Sequence, residues 1–246
     1  GLGWTTTASR ELTQFAERFD LPVVASFRSQ DVIDNRSPHY VGHAGIAMAG
    51  KVATALANAD LVIAVGTHLD EITSGRYALI TPPRPRQRLA HVHPASEVLG
   101  ALYQADIPIV STVAAFAARL DDLAPSVRRG SARTWSTLRR DLRQSFETWQ
   151  QVEPSPGSVR LENVVRHLSE VLPPDAIVTN GAGNYAAFVH RCFTWKEPGT
   201  QLAPMSGSMG YGLPGAIAAK LAHPNREVVC FAGDGCLQMT LQELAT

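Results

Sequence analysis

Three short glycine-bearing runs hold the residues of this sequence best suited to chemistry: NGAGN (180–184), SGSMGYG (206–212) and AGDGC (232–236). Small residues let backbone N–H groups come close to phosphate oxygens, and a helix that begins just afterwards adds a favourable dipole. The composition therefore points to a diphosphate site. Asp234, set between two glycines, would repel a bare diphosphate but would bind one through a divalent cation. Magnesium suits that role, because it takes few protein carboxylates and completes its octahedron with phosphate oxygens and water. Taken alone, Gly-Asp-Gly is an ordinary Asp-Gly turn more often than it is a site. Met209 taken alone is likewise a core residue at a helix start.

Positioning these runs requires strands that end, and helices that begin, at the right places. Beyond residue 158 the pattern supplies them. A helix carries Leu161, Val164, Val165 and Leu168, a strand AIVTN follows (176–180), then a helix near 184–192, the small-residue run to 222, and a strand EVVCFAG (227–233). In open α/β sheets ligands sit at the carboxyl ends of strands, so all three glycine runs can face one crevice. The earlier part of the chain has the same rhythm. Leu12, Phe15, Ala16 and Phe19 fall at helical spacing, and LPVVASF (21–27) reads as a buried strand. A helix over 47–58, strands at 61–66, 89–93 and 107–110, and a helix over 111–123 complete the series. Strands alternating with helices of this length imply crossover units. The expected fold class is α/β, with two layered domains and mainly parallel sheets.

Between the two series, Trp135, Leu138, Leu142, Phe146 and Trp149 form one apolar stripe on a long helix, suited to packing onto a neighbouring domain. VEPSPGS (152–158) then reads as a linker. The expected division is 1–152 and 158–246.

At 246 residues the chain is long enough for two cores, and 22 basic residues balance 22 acidic ones. That balance argues against nucleic acid as a partner and for small molecules or further copies of the chain. No apolar run approaches the roughly 20 residues that cross a bilayer. The three cysteines are too few and irregular for a disulfide framework or a zinc site, so a reducing, cytoplasmic setting is expected. The opening GLGWTTTASREL is no signal peptide and has no initiator Met.

Together, the strand leading into GDG, the LQMTLQELAT after it and the upstream SGSMGYGLPGAIAAKLA resemble the thiamine-diphosphate enzymes of the acetolactate synthase and 2-oxo acid decarboxylase family. The likeness runs the length of the chain, firmest over 176–246 and looser before 125. It implies a central domain followed by the first part of a diphosphate-binding domain, truncated at its C-terminus. In that family GDG opens a motif closed by an asparagine pair about two dozen residues on, beyond Thr246. It further implies Asp234 as the magnesium ligand, with Gly233, Gly235 and Cys236 lining the diphosphate through backbone groups. Gly183 and Asn184 match the other diphosphate contact. Met209 matches the apolar residue that props the bent cofactor, and Gly207 the residue whose carbonyl accepts from the aminopyrimidine. The activating glutamate belongs to a domain outside this sequence, so no catalytic residue is expected within it. Glu243 is read as structural. The implied whole is a homodimer or homotetramer using thiamine diphosphate and magnesium on a 2-oxo acid, by decarboxylation with or without carboligation. A fragment of this extent is expected to be inactive alone and to hold magnesium diphosphate weakly or not at all.

In acetolactate synthases the central domain holds a flavin dinucleotide (FAD). Where the family's flavin-contacting segment carries arginines, this sequence reads GTHLDEITSG (66–75), and His93 stands where an aspartate is expected. Both differences weigh against FAD and for a vestigial or different nucleotide site. His91 and His93 share a strand face, but without a third ligand a metal there is disfavoured. His39, His43, His167, His190 and His223 suit ordinary polar roles. Two other readings of the whole stand beside the enzyme: a catalytically silent binding or interaction module, and a nicotinamide-dependent dehydrogenase. The latter lacks a complete Gly-x-Gly-x-x-Gly opening a helix.

Overall fold

The structure, a computed structural model, describes residues 3–120, 122, 134–151 and 157–246. It contains two α/β domains in which every strand pair is parallel. In the first, α1 (Thr6–Phe19) starts at Thr5, whose side chain accepts from the Ala8 N–H, and stops at Asp20 in the left-handed region. That cap leaves fewer unpaired N–H groups at the helix start. Strands β1 (Val23–Ala25) and β2 (Tyr40–His43) pair with each other. After α2 (Gly50–Asn58), strands β3 (Leu61–Val65), β4 (Arg88–His93) and β5 (Ile107–Val110) form a second sheet in that order. Helix α3 (Val113–Leu120) packs on α1, with Ala8, Val113 and Ala117 buried between them.

Helix α4 (Thr134–Trp149) lies against β2. Its stripe is only partly covered: Leu142 and Phe146 are buried, whereas Trp135 and Leu138 stay largely exposed. Trp135 instead donates from its indole nitrogen to the Phe19 carbonyl (2.8 Å), and Arg139 binds the Asp20 carboxylate (2.5 Å). The helix is therefore fastened to the end of α1 by polar contacts, and to β2 by apolar ones together with Arg143, which donates to the Tyr40 carbonyl (3.0 Å). Trp149 reaches the second domain, where the Arg191 guanidinium lies 5.4 Å from its ring.

The second domain is a three-stranded sheet in the order β7 (Gln201–Leu202), β6 (Ile177–Asn180), β8 (Val228–Phe231). Alternation decides which helix covers which face. Val178 and Phe231 point towards α5 (Leu161–Val171) and α6 (Asn184–Cys192), in a core with Val165, Val189, Phe193 and Trp195. Thr179, one residue on, points the other way, and its hydroxyl donates to the Gly212 carbonyl at the start of α7 (Gly212–Ala222) (2.8 Å). Burying each large side chain of that core is worth about 1.5–3 kcal/mol.

Several expected elements differ in extent. The strand expected over 21–27 is three residues long, and its neighbour β2 carries no alternation in Tyr-Val-Gly-His; all four of its residues are buried, so patterning has nothing to contrast. The helix expected from 47 begins at Gly50, because Ala47 has a φ of 61° that no α-helix accommodates. The helix expected over 111–123 is described from Val113 to Leu120, with 121 and 123 outside the described residues. Most of the expected linker, residues 152–156, also lies outside them.

The domains meet along a polar seam centred on Gln30, which is fully buried. Its side-chain oxygen accepts from His190 Nδ1 (2.7 Å) and Gln201 Nε2 (2.9 Å). Its side-chain nitrogen donates to the His190 carbonyl (2.7 Å) and faces His43 Nδ1 (3.4 Å). Asp31 accepts from the Thr200 and Gln201 N–H groups, and Asn35 from the Trp195 N–H. Every hydrogen-bonding site on the Gln30 amide is thus used, which a buried amide requires.

Candidate active site

Strands β6 and β8 lie side by side, and the three glycine runs gather at their carboxyl ends. Backbone proximity is what glycine permits there. A Cβ on Gly212 would come within 3.0 Å of the Gly181 nitrogen, so the start of α7 can approach the end of β6 only without one. Gly207 and Gly210 have φ of 75° and 81°, conformations outside the α-helix, just before α7 begins. Beyond β8, Gly233 caps the short helix α8 (Asp234–Gln238).

The runs also touch one another. The Met209 methyl sits 3.1 Å from where a Gly235 Cβ would stand, so the side chain of GSMG rests on the backbone of GDG. Thr240 donates from its hydroxyl to the Gly210 carbonyl (3.1 Å), fixing the same approach from the other side. Cys236, buried at the back, has its thiol 3.0 Å from the Ala182 carbonyl, which links GDG to the 181–184 loop.

Each predicted residue therefore has a definite place. Gly233, Asp234 and Gly235 form the turn from β8 into α8, with the Asp234 side chain exposed. Gly183 and Asn184 sit at the exposed start of α6, Gly207 faces open space, and Met209 is 46% exposed. Asp234 is the lone carboxylate of this set. Among the described residues no group of three or more His, Cys, Asp and Glu has the geometry of a metal site. A cavity of about 170 Å³ lined by Gln150, Arg166, Ser169, Glu170, Cys192 and Thr194 lies away from these loops and contains none of them.

Two further residues, to which the sequence alone assigns no role, take part. Tyr185 lies across the glycines: its ring comes within 2.8 Å of a Cβ built on Gly183 and 3.0 Å of one built on Gly233, and its hydroxyl is 3.5 Å from the Cys236 sulfur. Burial pushes its phenol up to about 12, so it stays protonated at neutral pH. An aromatic residue two positions after a glycine is a weak signal, and it would have been the signal here. Asn180, ending β6, is wholly buried; its side-chain nitrogen donates to the Gly181 carbonyl (2.7 Å), while its oxygen has no hydrogen-bond partner among the described residues.

Over β4 the structure adds a third imidazole to the pair expected there. The His68 ring packs edge-on to His93 (4.7 Å between centroids), while His91 is held through Nε2 at the Thr67 carbonyl (2.8 Å). The His91 ring also meets His93 edge-on, with 6.3 Å between centroids.

Comparison with known proteins gives two family matches. Residues 1–120 match the family description "Thiamine pyrophosphate enzyme, central domain", and residues 181–246 match "Thiamine pyrophosphate enzyme, C-terminal TPP binding domain". The chain belongs to the thiamine-diphosphate-dependent, acetolactate-synthase-like family, of which it covers the central domain and part of the thiamine-diphosphate-binding domain. It is 31% identical over 245 residues to the acetolactate synthase of Mycobacterium avium, covering 97% of this chain and 38% of that protein. It is 30% identical over 234 residues to the acetolactate synthase large subunit of Lactococcus lactis subsp. lactis (94% and 39%), and 26% identical over 245 residues to the isozyme 1 large subunit of Escherichia coli (99% and 42%). The chain thus spans about two fifths of the length of these curated relatives.

The residues at the crevice fit the cofactor that the family implies. Glycine backbone, an exposed carboxylate and a half-exposed apolar side chain stand together at the ends of β6 and β8, and Gly207 has nothing within 4 Å of its Cβ position. No helix among the described residues is long and apolar enough to cross a membrane.

Proposed function

We propose that the intact protein is a thiamine-diphosphate- and magnesium-dependent enzyme acting on a 2-oxo acid, which it decarboxylates with or without joining the remaining carbon unit to a second carbonyl. The observation that carries this reading is the meeting of the 181–184 loop, the GSMG segment and GDG at the ends of β6 and β8, with Met209 seated on Gly235. When bound, thiamine diphosphate supplies a nucleophilic thiazolium carbon and an electron sink for the departing carbon dioxide. Asp234 would hold the magnesium, and the N–H groups of Gly233, Gly235 and Cys236, with Gly183 and Asn184 opposite, would receive the diphosphate. The Gly207 carbonyl would accept a hydrogen bond from the aminopyrimidine, and Met209 would wall the reacting centre from water. We set the boundary between the domains within 152–158. The thiols of Cys192, Cys230 and Cys236 are free, which suits a cytoplasmic enzyme, and the intact assembly is taken to be a homodimer or homotetramer.

The test uses the intact protein, with the sequence that flanks this chain. It should release carbon dioxide from pyruvate or a related 2-oxo acid only when both cofactors are supplied. Asp234→Ala should lower that activity at least about 100-fold, since even residues behind a metal ligand contribute 10- to 100-fold. Unchanged activity in that variant would remove the magnesium assignment.

A further inference from the structure

Arg28 follows β1 in the first domain, at a φ of 56°, and its side chain crosses the seam into the second. It is 7% exposed. One guanidinium nitrogen, Nη1, donates to the Pro204 carbonyl, and the other, Nη2, donates to the Gly181 carbonyl at 3.3 Å. Gly181 opens the loop that leads to Gly183 and Asn184. Pro204 stands two residues before the segment that carries Gly207 and Met209. A single planar fork therefore grips both walls of the crevice, a geometry that the point charge of a lysine cannot reproduce.

Each of these carbonyls already has a donor close by. The Gly207 N–H reaches the Pro204 oxygen at 2.9 Å, and Asn180 Nδ2 reaches the Gly181 oxygen at 2.7 Å. A carbonyl has two lone pairs, so Arg28 fills the second on each. Each loop can close on itself without the arginine. What the arginine adds is the spacing between them.

Among the described residues no carboxylate forms an ion pair with this side chain, and its Nε has no hydrogen-bond partner. The Phe27 ring, 4.8 Å from the guanidinium carbon, supplies a cation–π contact in place of a carboxylate. Burial of a cation without a counter-charge is costly, and a carboxylate would neutralise it at less cost. An unneutralised guanidinium beneath loops that receive an anionic group keeps its field directed at that group.

We propose that Arg28 is a positioning residue for the cofactor: a side chain of the central domain that sets the separation of the two loops which hold thiamine diphosphate. The proposal rests on the reading of the crevice given above. Its experiment has two arms, so that the two can fail separately. In the cofactor-free intact protein, amide hydrogen exchange at 181–184 and 206–212 should quicken together in Arg28→Met. In Asp31→Asn, which disturbs the seam at Thr200 and Gln201 without reaching either loop, the exchange at these loops should stay at the wild-type rate. In the second arm, the dissociation constant for thiamine diphosphate with magnesium should rise about 10- to 100-fold in Arg28→Met, the scale of losing hydrogen bonds to a charged group. Arg28→Lys should fall between Arg28→Met and wild type, since it restores the charge but not the fork. Where Arg28→Met does not fold, Arg28→Lys decides both arms. Loops that exchange at the wild-type rate in the arginine variants overturn the proposal, as does an unchanged dissociation constant. Failure of the wild type to bind the cofactor overturns the functional reading instead, and leaves the exchange arm to decide the role of Arg28 as a loop clamp.

Discussion

Tyr185 and Gly233 are in contact across the crevice: the ring edge stands 3.0 Å from the place a Gly233 Cβ would occupy. A side chain at 233 must push back the aromatic ring that also covers Gly183. Gly233→Ala should therefore destabilise the fold by about 1–3 kcal/mol, the usual cost of overpacking. Tyr185→Ala combined with it should cost less than the sum of the two single changes, because the clash then has no second member. Denaturant unfolding of the four proteins of this cycle measures that coupling. Strict additivity would mean that the ring does not constrain position 233.

Met209 is half-exposed, and its methyl lies against Gly235. Its removal should scarcely change folding while affecting turnover. Met209→Ala is expected to shift stability by no more than about 0.5 kcal/mol, as at exposed positions generally. The same change should lower kcat/KM of the intact enzyme about 10-fold or more, through loss of the apolar wall. A thermal scan beside a steady-state assay separates the two effects. An equal loss of both would make Met209 an ordinary packing residue.

The seam has its own pH dependence. His43 and His190 are almost wholly buried, and their rings lie 5.8 Å apart. Burial lowers His43 to about 4, and burial together with His43 and Arg28 lowers His190 to about 3. His43 Nδ1 faces the Gln30 amide and its Nε2 the Ile46 carbonyl, a pattern that suits the neutral ring. Both imidazoles are neutral in the native state, whereas the unfolded chain protonates them near 6.5. Between about 6.5 and 3 the unfolded state holds more protons, so stability falls as the pH is lowered through that window and is level above it with respect to these groups. For His43 the full loss is of order 3 kcal/mol. Unfolding free energies measured from pH 8 to 4 should decline in wild type and decline less in His43→Gln.

The parts of the fold that were legible in the sequence are those with apolar contrast. Strands β3 to β6 and β8 show it as short apolar runs set off from polar or glycine-bearing neighbours, although β6 is buried throughout and β8 half-buried throughout, and the helices between them show recurring apolar positions. The crevice was legible for a different reason. Glycine at 207, 210 and 212 answers to backbone approach and positive φ, which no other residue satisfies as well. The seam was not legible. SFRSQDVIDNRSPHY (26–40) has no apolar period, so nothing in it marks Arg28, Gln30, Asp31 or Asn35 as buried. Their partners lie some 150 residues or more further along the chain, and only the fold brings them together. The two-residue β7 was missed in the same way, since Gln201 owes its burial to Gln30 and not to hydrophobicity. Tyr185 was overlooked because the contact it makes is defined by glycines, which have no side chain to announce it.

The seam also sets the terms on which the two domains could be exchanged with those of a relative. With its four hydrogen-bonding sites all committed, Gln30 has no freedom to adapt to a foreign surface, and a mismatched glutamine would be left buried with unmade bonds. A chimera that takes one domain from elsewhere must therefore carry positions 28–35 and their counterparts at 181, 190, 195, 200, 201 and 204 as one inherited set.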